Sequence, residues 1–132
     1  MPDPITELLR PERLTAVLDI GANPIDGEPP YKGMLAAGLC TVTGFEPQAE
    51  ALAELHRRQG PNERYLPDAI GDGTEQTLHI CHAPGMSSVL EPDASRLALF
   101  NLFPAFGNVE KTVRLATRKL DEIPDLGRVD FL

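Results

Sequence analysis

Unbroken apolar runs alternate in this chain with segments whose apolar residues recur at helical spacing, and breaks rich in glycine and proline separate them. Within the stretch 14–23, Ala16-Val17-Leu18 has no polar alternation, which predicts a strand covered on both faces and stopped at Gly21. Before it, residues 5–10 predict a short flanking helix ended by Pro11. After it, Pro24 to Pro30 is too rich in proline and glycine to be helical, and 31–37 predicts a short helix with Gly38 as its C-terminal cap. A second strand, 40–46, ends on Glu46. The next helix, 47–59, takes Glu46 as its N-cap and Pro47 as its first residue, with Gly60 closing it. Its spacing turns Ala51, Leu52 and Leu55 inward and sets Glu54 four residues before Arg58 on the outer face.

The second half is patterned differently. A strand over 64–70 leads into the tight turn Gly71-Asp72-Gly73. Period-two alternation over 76–82 places Leu78 and Ile80 on one face, which predicts a half-exposed strand in a hairpin with its predecessor. Residues 85–90 predict a loop, or a loop running into a short strand, and 94–103 a helix with Leu97, Leu99, Phe100, Leu102 and Phe103 at its apolar positions. A strand over 109–115, of the kind that follows a long crossover, precedes a helical turn over 118–123. The ending Val129-Asp130-Phe131-Leu132 opens a further buried strand.

At 132 residues, 42% hydrophobic and 24% charged, the chain has the composition of one folded domain. Its net charge of −8 and pI of about 4.8 argue against nucleic acid and anionic membranes as partners, because both select basic surfaces. No apolar run spans a bilayer, and Met1-Pro2-Asp3-Pro4 lacks the basic-then-apolar pattern of a secretory leader, so a cytoplasmic protein is expected. Cys40 and Cys81, inside strand-like runs, are then expected as buried thiols rather than a disulfide.

The candidate chemistry follows from the first strands. Asp19 precedes the glycine stop, and Gly21-Ala22-Asn23 lets the backbone approach a ligand where a larger residue would collide. Glu46 ends the next strand. Strand, glycine turn, helix, strand and carboxylate is the layout of a nucleotide-type site, in which the second carboxylate accepts hydrogen bonds from ribose hydroxyls. His79, Cys81 and His82 do not complete a metal set, since alternation puts His82 on the face opposite the other two, and no metal is expected. Asp72 reads as a turn residue, Ser87 and Ser88 as loop hydrogen-bonding groups, and Met86 as packing.

Five stretches carry a resemblance: Val17-Leu18-Asp19-Ile20-Gly21-Ala22-Asn23, Gly44-Phe45-Glu46-Pro47, Asp68-Ala69-Ile70-Gly71-Asp72, Gly85-Met86-Ser87-Ser88, and Arg118 to Ile123 before Val129-Asp130-Phe131-Leu132. In this order and spacing the chain resembles the FkbM-type methyltransferases, which use S-adenosylmethionine (SAM) on a class I Rossmann-like fold. The resemblance implies an α/β sheet with flanking helices, residues 1–13 as a flanking segment, and 14–132 as the SAM-binding domain. It places Asp19, Gly21 and Asn23, with Ala22 between them, under the methionine part of SAM. Glu46 would hold the ribose hydroxyls, and Asp68 with Ala69 would border the adenine. A net acidic pocket suits the cationic sulfonium and amino groups, and a carboxylate suits a vicinal diol.

Two departures from the family pattern stand out. Pro24-Ile25-Asp26-Gly27 displaces the glycine usual after Ala-Asn. The lysine and acidic residue that follow the family's last strand are absent, as are the later strands that shape the acceptor pocket, so the domain is expected to be truncated at its C-terminus. The expected function is methyl transfer to a hydroxyl of a small molecule or sugar, with no catalytic base identified. Methyl transfer needs mainly positioning of the two reactants. Two alternatives stay open: a non-catalytic SAM-binding-type fragment or interaction module, and a nicotinamide-dependent dehydrogenase, against which the missing G-x-G-x-x-G counts. A sheet cut at Leu132 would also leave an open edge through which two copies could pair.

Overall fold

Neighbouring residues of a strand project to opposite faces, and both Val17 (5% exposed) and Leu18 (3%) are buried, so the first strand is covered on both sides. The computed structural model describes residues 4–9, 11–25 and 27–132. Arg10, at the end of the first predicted helix, Asp26 in the predicted loop, and Met1 to Asp3 lie outside the described residues. The elements in order are α1 (Pro4–Leu9), β1 (Thr15–Ile20), α2 (Lys32–Ala36), β2 (Cys40–Phe45), α3 (Ala49–Arg58), β3 (Glu63–Leu66), β4 (Ala69–Ile70), β5 (Glu75–Cys81), α4 (Ala94–Leu97), α5 (Phe103–Phe106) and β6 (Val109–Arg118). Contacts gather into two compact units. One takes in the chain through Ile70 and Asp121–Leu132, and the other is Gly71–Leu120.

The first unit is a small α/β arrangement with a three-stranded parallel sheet in the order β1-β2-β3 and flanking helices. β1 runs beside β2 from Thr15↔Cys40 to Ile20↔Phe45, and β2 beside β3 from Val42↔Glu63 to Phe45↔Leu66. Such pairing requires crossover connections, and α2 and α3 supply them. Val17, Tyr31, Cys40 and Val42 form a buried cluster against which Leu35 packs. Cys40, fully buried, and Cys81 (2% exposed) are both free thiols. Burial pushes the Cys40 thiol up from its ordinary value. Gly44 is required by packing, since a Cβ there would come within 2.6 Å of the Tyr65 ring and 2.8 Å of the Ala22 methyl.

The last residues return to this sheet. Phe131 pairs parallel with Val17, with the Leu18 amide donating to the Phe131 carbonyl and the Asp130 amide to that of Ala16, each at 2.9 Å. The Arg13 guanidinium and the Ala16 amide both donate to the Asp130 carboxylate.

The second unit is an antiparallel hairpin with an insertion. β5 and β6 pair from Glu75↔Ala116 to Cys81↔Val109, with an irregularity between Ile80 and Cys81. Before β5, the Asp72 carboxylate accepts from the Thr74 hydroxyl and amide and from Gln76, which pulls it down to about 2. Asp72 is thus a turn residue. Inside the insertion, Asp93 caps α4 by accepting from the Ser95 and Arg96 amides.

Four expectations are corrected. The helix after β2 starts at Ala49 with Gln48 as N-cap, not at Pro47 with Glu46, because the Glu46 amide still bonds the Leu66 carbonyl as a strand residue does. The single strand over 64–70 is two, broken at Pro67, which lacks an amide hydrogen. The partner of β5 is β6 rather than its predecessor, and β6 is therefore antiparallel, not a crossover strand. The helix over 94–103 is two short pieces: α4 ends at Leu97, Leu102 turns left-handed at φ 71°, and Pro104 stands in the first turn of α5, where its missing amide hydrogen is not needed.

Candidate functional site

All three parallel strands of the first unit finish at the same end, and of the sequence-predicted residues Asp19, Gly21, Ala22, Asn23 and Glu46 lie there. In open α/β sheets this end is where ligands bind, because the loops leaving the strands form a crevice with exposed backbone groups. Asp19, half-buried, is the penultimate residue of β1 and stands opposite Gly44 in the register. Its Oδ2 accepts a 2.5 Å hydrogen bond from the hydroxyl of Tyr31, which is 8% exposed. Burial first, then this bond and the charge of Asp19, push the Tyr31 phenol well above its ordinary value, so it remains a donor throughout the working pH range.

Gly21 makes the turn. Its φ is +78°, and a Cβ placed there would meet nothing within 4 Å, so the space above the turn is open. The amides of Gly21 and Ala22 both donate to the Phe45 carbonyl, at 2.9 and 3.0 Å, which ties the turn to the end of β2. Ala22 is buried, its methyl next to Gly44.

Glu46 follows directly and is only 2% exposed. Its Oε1 accepts from the Gln48 amide at 2.8 Å, and the carboxylate also receives the Asn23 amide. Burial raises its pKa above the ordinary glutamate value, while the two amides act in the opposite direction. The structure therefore brings Asp19, Gly21, Ala22, Asn23 and Glu46 together, with one carboxylate clamping both loops. Asp68 and Ala69 follow Leu66, whose carbonyl receives the Glu46 amide, but Ala69 already belongs to β4, which is not a strand of the parallel sheet, and neither residue is brought against Asp19 or Glu46.

Tyr31 joins the site through the fold alone. Twelve residues separate it from Asp19, and its only signal was an aromatic residue directly after Pro29-Pro30. A cavity of about 480 Å³ opens beside it, walled by Ala22, Pro29, Tyr31, Leu35, Leu55 and Tyr65 among others. Of the predicted residues Ala22 lines this cavity, so it adjoins the strand-end site without coinciding with it. The Tyr65 hydroxyl donates to Glu63 at 2.7 Å.

His79 and His82 are held apart. The His79 ring lies 3.3 Å from the Ser88 carbonyl, and His82 pairs with Glu110 at 2.7 Å. Ser87 Oγ accepts from the Cys81 amide and Ser88 Oγ from that of Leu90, both loop hydrogen bonds. Among the described residues no group of His, Cys, Asp or Glu is placed to hold a metal ion. Among them also, no helix is long and apolar enough to cross a membrane.

In comparisons with family models, curated proteins and solved structures, the chain matches none.

Proposed function

We propose that this chain is the cofactor-binding part of a SAM-dependent methyltransferase with a Rossmann-like sheet. The observation that carries the reading is the juxtaposition of Asp19, the open Gly21 turn and Glu46 at the carboxyl ends of adjacent parallel strands. Phe131, running parallel to β1, adds the start of a fourth strand in the sense this fold requires. The acidic side chain of Asp19 suits the cationic sulfonium and amino groups. A carboxylate has about four acceptor sites, so Glu46 keeps capacity for a ribose diol beyond its two amides. The hydroxyl of a small molecule or sugar as methyl acceptor rests on the family resemblance.

A second reading has its own support. Glu46 is buried and clamps Asn23 to Gln48, the behaviour of a structural residue in a binding module without catalysis. Calorimetric titration of S-adenosylhomocysteine, with Glu46→Ala beside the wild type, separates the two. The methyltransferase reading expects wild-type binding that Glu46→Ala weakens at least about tenfold, the loss of a charged hydrogen-bond acceptor. A folded wild type that takes up no ligand would leave the module reading.

A further inference from the structure

The second unit exposes an apolar ridge that its own packing does not use. Leu99 is 79% exposed, Phe100 59%, Leu102 69%, Phe103 43% and Phe106 38%, all within residues 99–106. Three of the chain's five phenylalanines stand here. Their rings form a run, with centroids 5.6 Å apart from Phe100 to Phe103 and 6.2 Å from Phe103 to Phe106. Leu102 adds a second anomaly. It adopts φ 71°, a conformation that leucine disfavours and glycine or asparagine accepts, and yet its side chain is spent on solvent.

We propose that residues 99–106 are a self-association face, covered in solution by the same face of a second copy of this chain. Area argues for it first. At about 200 Å² for a fully exposed large side chain, these five residues leave roughly 600 Å² of apolar surface in water. That is at the upper limit for the largest patch of a typical monomer. A standard interface covers about 800 Å² per partner, a little over half of it apolar, so the ridge supplies the apolar share that one side of a stable dimer needs. Charge argues for the same occupant. Gly71–Leu120 carries five acidic and five basic residues, so the unit is formally neutral and the net −8 falls on the rest of the chain. Two neutral ridges meet without net repulsion, whereas a strongly charged peptide or an anionic membrane finds no countercharge here. A two-fold contact also satisfies itself, each ridge serving as the other's partner.

Light scattering across micromolar to submillimolar concentrations tests this on the 132-residue chain. The expected wild-type mass is twice the 14.4 kDa of one chain. The double variant Leu99→Gln/Phe100→Gln is expected to return to the mass of one chain with unchanged circular dichroism. Leu102→Asn, which suits the left-handed backbone and so preserves the fold, should by itself weaken dimerisation about tenfold. A wild type that stays at one-chain mass up to submillimolar concentration overturns the proposal. So does a double variant that remains dimeric, which would move the contact to a sheet edge. Retention of a monomer on phosphatidylcholine vesicles, lost in the double variant, overturns it in favour of a lipid surface.

Discussion

Two residues determine how the strand-end site is held. Glu46 keeps a carboxylate inside the protein against two backbone amides, and burial raises its pKa above the ordinary value of 4.5. A raised folded-state value means a stability contribution that is full below 4.5 and lost as pH rises through the folded value. Glu46→Gln cannot ionise. Its melting temperature should therefore gain on the wild type as pH is raised from about 4 to about 8, whatever the constant offset from altered hydrogen bonding. A pH-independent offset in thermal melts would contradict the inward carboxylate. Tyr31 acts on the other carboxylate. Under the proposed function, Tyr31→Phe releases Asp19 and should weaken S-adenosylhomocysteine about tenfold, a hydrogen bond to a charged group being worth about 1.5–3 kcal/mol. Methylthioadenosine, which has no amino-acid end to meet Asp19, should bind both forms equally. Parallel calorimetric titrations check the split. Asp19 and Glu46 were legible because a carboxylate at the end of an apolar run is a local pattern. Tyr31 was not, because only the fold brings it across twelve residues to Asp19.

Individual elements show where tertiary pairing overrides local pattern. The terminal segment keeps its place beside β1 through Asp130, whose carboxyl lies well below the usual range because Arg13 and the Ala16 amide donate to it. A lowered value gives stability that is present above the ordinary carboxylate value of 3.8 and lost as pH falls. Asp130→Asn should hasten hydrogen exchange of the Leu18 amide at neutral pH, and the difference from wild type should start to close below pH 3.8. Equal exchange in both proteins at neutral pH would mean that the backbone bonds of Phe131 suffice. β6 shows the opposite case. A strand-like run reads alike in either direction, so the local pattern over 109–115 could not reveal that it pairs antiparallel with β5. Leu102 is similar: apolar spacing favoured one helix over 94–103, and the left-handed backbone at Leu102 separates two.

At the scale of the whole molecule, formal charge is divided unequally between the two units. The unit with the parallel sheet bears the acidic excess, which under the proposed function suits a cationic ligand. The neutral unit bears the ridge, where the dimer prediction belongs. Composition gave the overall charge but not this division, since counting residues does not say which of them share a compact unit.

The amino-acid sequence by itself determined the first sheet: the apolar runs of β1 and β2, the helix between β2 and β3, the turn at Gly21 and the carboxylates that end two strands. These follow from backbone sterics and from periodic burial, both properties of a few consecutive residues. Tertiary structure alone decided that Glu46 faces inward onto Asn23 and Gln48, that Tyr31 reaches Asp19, that β5 takes β6, and that the phenylalanines of 100–106 lie on the surface of the chain. Each of these depends on residues distant in sequence competing for the same hydrogen bonds and the same buried volume, and that competition is settled only when the chain is folded.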